Sequence, residues 1–487
     1  MKDIPEIRVR GFEFRVLNMR TRMPFKYGIA SLSALPHLFV RAELEVGDRI
    51  VHGLTSEGLP PKWFTKDPTT TFEADLADML EVIRHAANLA VAAGRCASAF
   101  DLWKSVHVAQ TAWASGRGFP GLLSGLGTAL VERAVIDGLC RATKTPFALA
   151  LRHDRFGLRL PELHAELPAA APAEFLPATA VSHVSVRHTV GLADPLVDAD
   201  IADADRLDDG LPQSLAASIR QYGLHAFKLK LCGQTDRDLD RLRRIAAVLA
   251  ETGVEKPFWT LDGNEQFPSV ESFREFWTRY EADPELAWLR PGRLFVEQPL
   301  HRKVALDEAT GRELLGWRER PPMIIDESDG EPGALECALE RGYIGTSHKN
   351  CKGVFRGIAN ACLLEFRRRR SEPRLVLSSE DLANVGPVAM LQDLAVAAAL
   401  GLTHSERNGH HYFRGLSMFD DDIQAATLRA HQDLYEPAPG GFPTLRISEG
   451  RIPTHTVIRA PFGCGFDLDP TRHVPLDSWS PTSLGLH

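Results

Sequence analysis

The chain has 487 residues, 44% hydrophobic and 25% charged, enough to bury a large core in more than one domain. A net charge of −8 offers no broad basic surface, which argues against a nucleic-acid partner. Its seven cysteines are scattered singly without a CxxC pair, which argues for reduced thiols and against a zinc or disulfide framework.

The opening Met1-Lys2-Asp3-Ile4-Pro5-Glu6 has no apolar signal core, and no later stretch approaches the roughly 20 apolar residues of a membrane span. A cytoplasmic protein without a membrane partner is expected. Residues 1–150 read as an α+β domain, with strand-like stretches at Ile7 to Asn18, Leu38 to Val46 and Ile50 to Leu54. Helical patterns follow at Thr71 to Ala93 and Thr128 to Cys140. Residues 150–180, rich in Ala, Pro and Leu without period, read as a connection.

From about residue 181 short apolar runs alternate with helical patterns, the signature of βα units around a parallel sheet. The runs are Val181 to Arg187, Ala226 to Leu231, Phe258 to Asp262, Arg293 to Glu297, Met323 to Asp326, Ile344 to Lys349, Leu375 to Ser379 and Leu402 to Glu406. One intervening helix is expected to start with Thr235 as its N-cap. Eight such runs, with no GxGxxG after an early strand, favour a closed barrel over 178–415 rather than an open sheet. Arg367 to Arg370 end a helical pattern and read as a solvated helix terminus rather than a nucleic-acid patch. Residues 416–487 are too long for a tail and are expected to pack back on the first domain.

The chemistry sits where charged residues end apolar runs. Asp262, Glu297 and Asp326 close three successive runs, and a carboxylate ending a buried strand is costly without a cation. Taken singly, each reads as a strand-end acid paired with a lysine. Together they point to a hard divalent ion, Mg²⁺ rather than zinc, because the set is all oxygen. Glu265 and Glu327 compete for these roles, and Glu327 could replace Asp326.

Lys228 and Lys230 are two residues apart and share a barrel face, while Lys349 could face them from the other side. A lysine beside a metal ion and a second ammonium moves towards the range of a general base. Lys228 reads instead as a salt-bridge partner of the ligand carboxylates. Lys352, beside Gly353, competes with Lys349 from a loop position.

The stretches Phe227-Lys228-Leu229-Lys230-Leu231, Asp262-Gly263-Asn264, Glu297-Gln298-Pro299, Asp326-Glu327-Ser328 and Lys349-Asn350-Cys351-Lys352-Gly353 together resemble the enolase superfamily. Within it they resemble the mandelate racemase/muconate lactonizing enzyme family, in its muconate lactonizing subgroup. Met23 to Gly28 and Ala460 to Asp469 extend the resemblance over nearly the whole chain.

The resemblance implies an α/β protein: a modified TIM barrel, (β/α)7β, under an N-terminal α+β capping domain completed by the C-terminal segment. It implies Mg²⁺ on Asp262, Glu297 and Asp326, with Asn264 and Glu327 in support. Lys230 and Lys349 would be the acid/base pair, with Lys228 beside them, and a homo-oligomer would be usual. The substrate would be a small carboxylate losing its α-proton to a metal-stabilised enolate, as the handling of such sites by a Lys or His base and Mg²⁺ suggests.

The seventh run ends Leu377-Ser378-Ser379-Glu380-Asp381 without histidine, which steers the reading to the two-lysine class. Departures from the family are the single glycine of Gly353-Val354 and the eighth run's ending, Glu406 to Tyr412. There Glu406 and His410 either touch substrate or rim the barrel. Arg187-His188 and Lys26-Tyr27 are candidates for a distal substrate group, against barrel-mouth salt bridges and cap packing. A racemase or epimerase is favoured. Cycloisomerisation, dehydration by β-elimination, a Schiff-base lysine aldolase and a non-catalytic binding protein are the alternatives.

Overall fold

The computed structural model describes residues 4–370 and 372–486; Met1 to Asp3, part of the start read above, lie outside them. Alternating apolar residues at the N-terminus build a long antiparallel hairpin, β1 (Ile7–Tyr27) and β2 (Ala30–Val46), joined to β3 (Arg49–Gly58). The hairpin turns at Gly28, whose φ of +48° suits glycine. A short β4 (Arg95–Cys96) pairs with β1.

Helices α1 (Phe72–Ala92), α2 (Ala99–Arg117) and α3 (Gly121–Thr143) accompany this sheet, and α4 (Phe147–Arg152) leads into an irregular connection. Thr71 caps α1 by accepting from the Ala74 N–H.

The barrel strands are β5 (His183–Val190), β6 (Ala226–Lys230), β7 (Phe258–Asp262), β8 (Arg293–Glu297), β9 (Met323–Ile324), β10 (Gly345–His348), β11 (Val376–Ser379) and β12 (His404–Arg407). Neighbours pair in parallel from β5 to β9 and from β10 through β12 back to β5. A bridge between Ile325 and Thr346 joins β9 to β10 and closes the ring.

Among the described residues seven α-helices lie between successive strands: α5 (Leu215–Tyr222), α6 (Thr235–Glu251), α7 (Val270–Ala282), α8 (Glu308–Gly316), α9 (Ala334–Glu340), α10 (Val354–Arg368) and α11 (Ala389–Ala399). This is the modified (β/α)7β barrel with a capping region. Thr235 is already helical and gives no cap; Gln234 precedes it, and Asp238 instead accepts from the Cys232 and Gly233 N–H groups. Arg367 and Arg369, at the end of α10, pair with Glu166 and Glu365.

Cap and barrel are joined by buried polar contacts rather than apolar packing alone. Glu132 of α3 accepts from the N–H groups of Val354 and Phe355, capping α10 from the other region. Arg133 pairs with Glu57 at 2.7 Å and bonds Gln392 of α11. The segment after β12 divides its contacts: Arg451–Pro453 adds antiparallel to β5, and Val474–Pro475 pairs with β1.

Candidate active site

Alternation along each strand decides what enters the barrel. On β6 both Lys228 and Lys230 point inward and Leu229 outward, so two ammonium groups rise through the mouth in register with β7 and β5. Lys228 is fully enclosed. Its Nζ lies 2.8 Å from both oxygens of Glu297, 2.9 Å from Asp262 and Glu380, and 2.8 Å from Glu406. Lys230 Nζ donates to Asp262 Oδ2 at 2.6 Å. Across the mouth, Lys349 Nζ donates to Asp326 at 2.8 Å and to Glu380 at 2.7 Å.

Glu297, Asp326 and Glu380 each offer an oxygen within 4.8 Å of the others, and all three are buried. Sequence reasoning passed over Glu380, which directly follows the seventh run as Asp262 closes the third. Asp262 stands beside this cluster and shares Lys228 with it.

Charges so confined perturb one another strongly. Burial drives Glu297 well above the usual carboxylate range, reinforced by the neighbouring Asp262 and Glu380. Burial also raises Asp326 and Glu380, but Lys349 and Lys352 outweigh it at the former and Lys228, Lys349 and Arg187 at the latter, holding both well below. The lysines respond in kind. Burial alone would lower Lys228 and Lys349, yet the touching carboxylates hold both well above the ordinary range. For Lys349 this is opposite to the expectation of a lowered value, because Asp326 and Glu380 touch it directly.

The strand-end motifs hold these groups in place. Gly263 passes so close to the next loop that a Cβ would lie 2.5 Å from Pro299 Cα, so only glycine fits. Gln298 accepts from the Asp326 and Ser328 N–H groups, fixing the backbone of the next strand end. Lys352 bonds the Asp326 carbonyl at 2.7 Å and its carboxylate at 2.8 Å, so it braces Asp326 from a short turn.

Neither competing acid joins the cluster. Glu265 is bound to Arg302 at 2.8 Å and Lys66 at 3.2 Å, and Glu327 meets only the Asn264 amide at 3.3 Å among described hydrogen bonds. Burial, with Asp326 and Glu265 nearby, pushes Glu327 up to about 7.

Above the cluster lies a small cavity, bounded by Lys228, Lys230, Lys349, Asp262, Asp326, Glu406 and Asn264 below and by the cap above. Phe25, Tyr27, Leu32, Pro60 and Trp63 form the cap's apolar wall. The hairpin carrying Phe25 is pinned by Arg22, whose guanidinium meets both Asp209 oxygens at 2.7 and 2.8 Å.

Several candidate substrate contacts fall elsewhere, for reasons of alternation. Lys26, between inward Phe25 and Tyr27 on β1, is exposed and faces a separate surface groove. Tyr27 does line the cavity, although its hydroxyl is taken up by the Pro61 carbonyl at 2.8 Å. Arg187 points into the barrel beneath the mouth, bonded to Glu380, Ser378 and His404. His188, the next residue, faces outward and meets His410 at 3.1 Å, so His410 lies outside the cavity wall too. Glu406 remains at the mouth, between Lys228 and Thr189.

Comparison with solved structures identifies this architecture. The 2-chloromuconate cycloisomerase of Rhodococcus opacus 1CP superposes with a TM-score of 0.59 at 14% identity, covering 96% of this chain and 98% of that one. The dipeptide epimerase of Enterococcus faecalis V583, solved with Mg and the dipeptide L-Leu-L-Tyr, gives 0.55 at 15% identity over 83% of this chain and 92% of that one.

The chain shares its capped (β/α)7β fold with these structures.

No family model matches the chain. A curated relative, an L-Lys-D/L-Arg epimerase of Methylococcus capsulatus, is 30% identical over 218 residues. The match takes in 39% of this chain and spans 57% of the relative's length. Among the described residues no helix is long and apolar enough to cross a membrane.

Proposed function

We propose that this protein is a Mg²⁺-dependent enzyme that moves the α-proton of a small carboxylate substrate, as a racemase or epimerase. The observation that carries the proposal is the placement of Lys230 and Lys349 on separate strand ends, both facing one cavity over a buried carboxylate cluster. The donor set fits a hard divalent ion, being all oxygen, buried and mutually repelling. Glu297 and Asp326 would hold it, with Glu380 or Asp262 as the third ligand. Bound there, Mg²⁺ would supply Lewis-acid stabilisation of the charge that develops on the substrate carboxylate.

The chain's own groups account for the proton. An amine on each side of a bound α-carbon can take the proton from one face while the other returns one to the opposite face. Lys228, held by four carboxylates, is committed to charge compensation rather than to proton transfer. The apolar cap wall excludes water from the amines. The epimerase name carried by the curated relative supports this reading.

The test is solvent-deuterium incorporation at the α-carbon of a panel of chiral N-acyl amino acids and dipeptides, with Mg²⁺ and with chelator. Mg²⁺-dependent exchange with loss of optical activity is expected. In Lys349→Ala and Lys230→Ala, each enantiomer should lose racemisation, while exchange survives in one substrate enantiomer only. Unchanged product formation in Lys349→Ala would favour elimination, which needs a single base. Borohydride trapping of a carbonyl substrate, insensitive to chelator, would favour the aldolase.

A further inference from the structure

Residues 60–66 of the cap cross the barrel mouth, and the Trp63 ring there lies 5.5 Å from Nζ of Lys349. The segment has no helix or strand hydrogen bonds of its own. Within the cap it is held before Trp63, where Tyr27 donates to the Pro61 carbonyl and Lys62 pairs with Asp75 at 2.8 Å. Its anchor at Trp63 and Phe64 comes from the barrel. Arg302, in the loop after β8, donates from Nη1 to the Phe64 carbonyl and from Nη2 to the Trp63 carbonyl, each at 3.0 Å.

The guanidinium is itself seated. Glu265 accepts from Arg302 Nε and Nη2 at 2.8 Å and from its backbone N–H at 2.7 Å. Lys66 completes the group, lying 3.2 Å from the second Glu265 oxygen and donating to the Asn264 carbonyl. The Glu265 side chain is wholly buried. Asn264 and Glu265 both adopt left-handed φ values, +41° and +64°, which turn that carbonyl and carboxylate towards the cap. Non-glycine residues keep such conformations only where their surroundings over-determine them, as Arg302 and Lys66 do here.

We propose that Arg302 is a positioning residue: seated on Glu265, its fork latches segment 60–66 to the barrel and fixes Trp63 as the roof over Lys349. A planar fork is needed, because two carbonyls and both carboxylate oxygens are engaged at once, which a lysine cannot match. The inference rests on these contacts and not on the proposed reaction, so either can fail alone.

The experiment compares the full-length wild type with Arg302→Met, Trp63→Ala and a surface control, Arg244→Met, without substrate. Amide hydrogen exchange of residues 60–66 and acetylation of Lys349 by an N-hydroxysuccinimide ester are followed by peptide mass spectrometry. Arg302→Met should exchange in 60–66 about tenfold faster or more, the signature of a local opening. Its Lys349 acetylation should rise to the level of Trp63→Ala, while peptides of β6 and β7 and the Arg244→Met control stay at wild-type values. Should Arg302→Met fail to fold, Arg302→Lys should show the same changes more weakly, because it keeps Glu265 but cannot hold both carbonyls. Millimolar methylguanidinium should restore protection to Arg302→Ala and leave the control unaffected. Exchange and Lys349 labelling within twofold of wild type in a folded Arg302 variant would overturn the proposal.

Discussion

Two arcs of the barrel mouth carry carboxylates and hold them differently. On the arc of β7, β8 and β9, Asp262, Glu297 and Asp326 are met chiefly by lysine ammonium groups, although Asp262 also accepts from the Asn264 N–H and Asp326 from the Ser347 hydroxyl. On the arc of β11, β12 and β5, one oxygen of each acid is anchored by its own side of the barrel: Glu380 by Arg187 and Ser378, Glu406 by Thr189. The first arc can exchange an ammonium for another cation without stranding its oxygens. The second is oriented by fixed donors, so it directs its remaining oxygens at Lys228 and Lys349. A site meant to accept an ion needs both kinds, since an arc anchored throughout would have no free ligand positions.

The largest expected effect comes from removing the group both arcs share. Lys228→Met leaves buried carboxylates facing one another, and loss of one partner from a buried ion pair costs about 3–5 kcal/mol. Urea unfolding in chelator should show that loss, and added Mg²⁺ should recover part of it. Stability independent of Mg²⁺ in this variant would mean that the cluster does not take up the ion.

A smaller effect separates the arcs. Thr189→Val removes the hydroxyl that anchors Glu406 and keeps the side-chain shape, so the orphaned oxygen should cost about 1–3 kcal/mol. Mg²⁺ affinity should be unchanged, because Glu406 is outside the carboxylate cluster. A matching loss of Mg²⁺ affinity would make Glu406 part of the ion site.

The smallest effect lies behind the second arc. Burial lowers His188 to about 4, so the folded protein keeps it neutral while the unfolded chain protonates near 6.5. Its contribution is therefore complete above pH 6.5 and is lost as pH falls towards 4. Equilibrium unfolding of His188→Gln should show a shallower dependence in that window, by up to about 1.4 kcal/mol per pH unit. An unchanged slope would show that the histidine is already protonated or solvated in the folded state.

Much of the barrel was legible because period-two alternation and short apolar runs are local signals. The third and fourth runs, Phe258–Asp262 and Arg293–Glu297, coincide with β7 and β8. Helix α2 lacks a clean apolar stripe because Gln110 interrupts its buried face of Leu102, Trp103, Val106 and Ala114 while Val108 lies exposed, and packing against α1 and α3 fixes it instead. Glu380 carries a usable signal, a carboxylate directly after the apolar run Leu375 to Ser379.

Other features had no local signature. Lys26 and Tyr27, like Arg187 and His188, were paired by adjacency, whereas neighbouring residues on a strand face opposite ways. Arg302 sits in a loop 37 residues from Glu265, and only the folded chain brings the two together.

The most direct test of the carboxylate site is calorimetric Mg²⁺ titration of the wild type and Glu297→Gln, with Glu380→Gln and Asp262→Asn alongside to identify the third ligand. We expect one site per chain and an affinity at least about tenfold weaker in Glu297→Gln, equivalent to about 1.4 kcal/mol. Wild-type affinity in Glu297→Gln, or no Mg²⁺ binding by the native protein, would contradict the account.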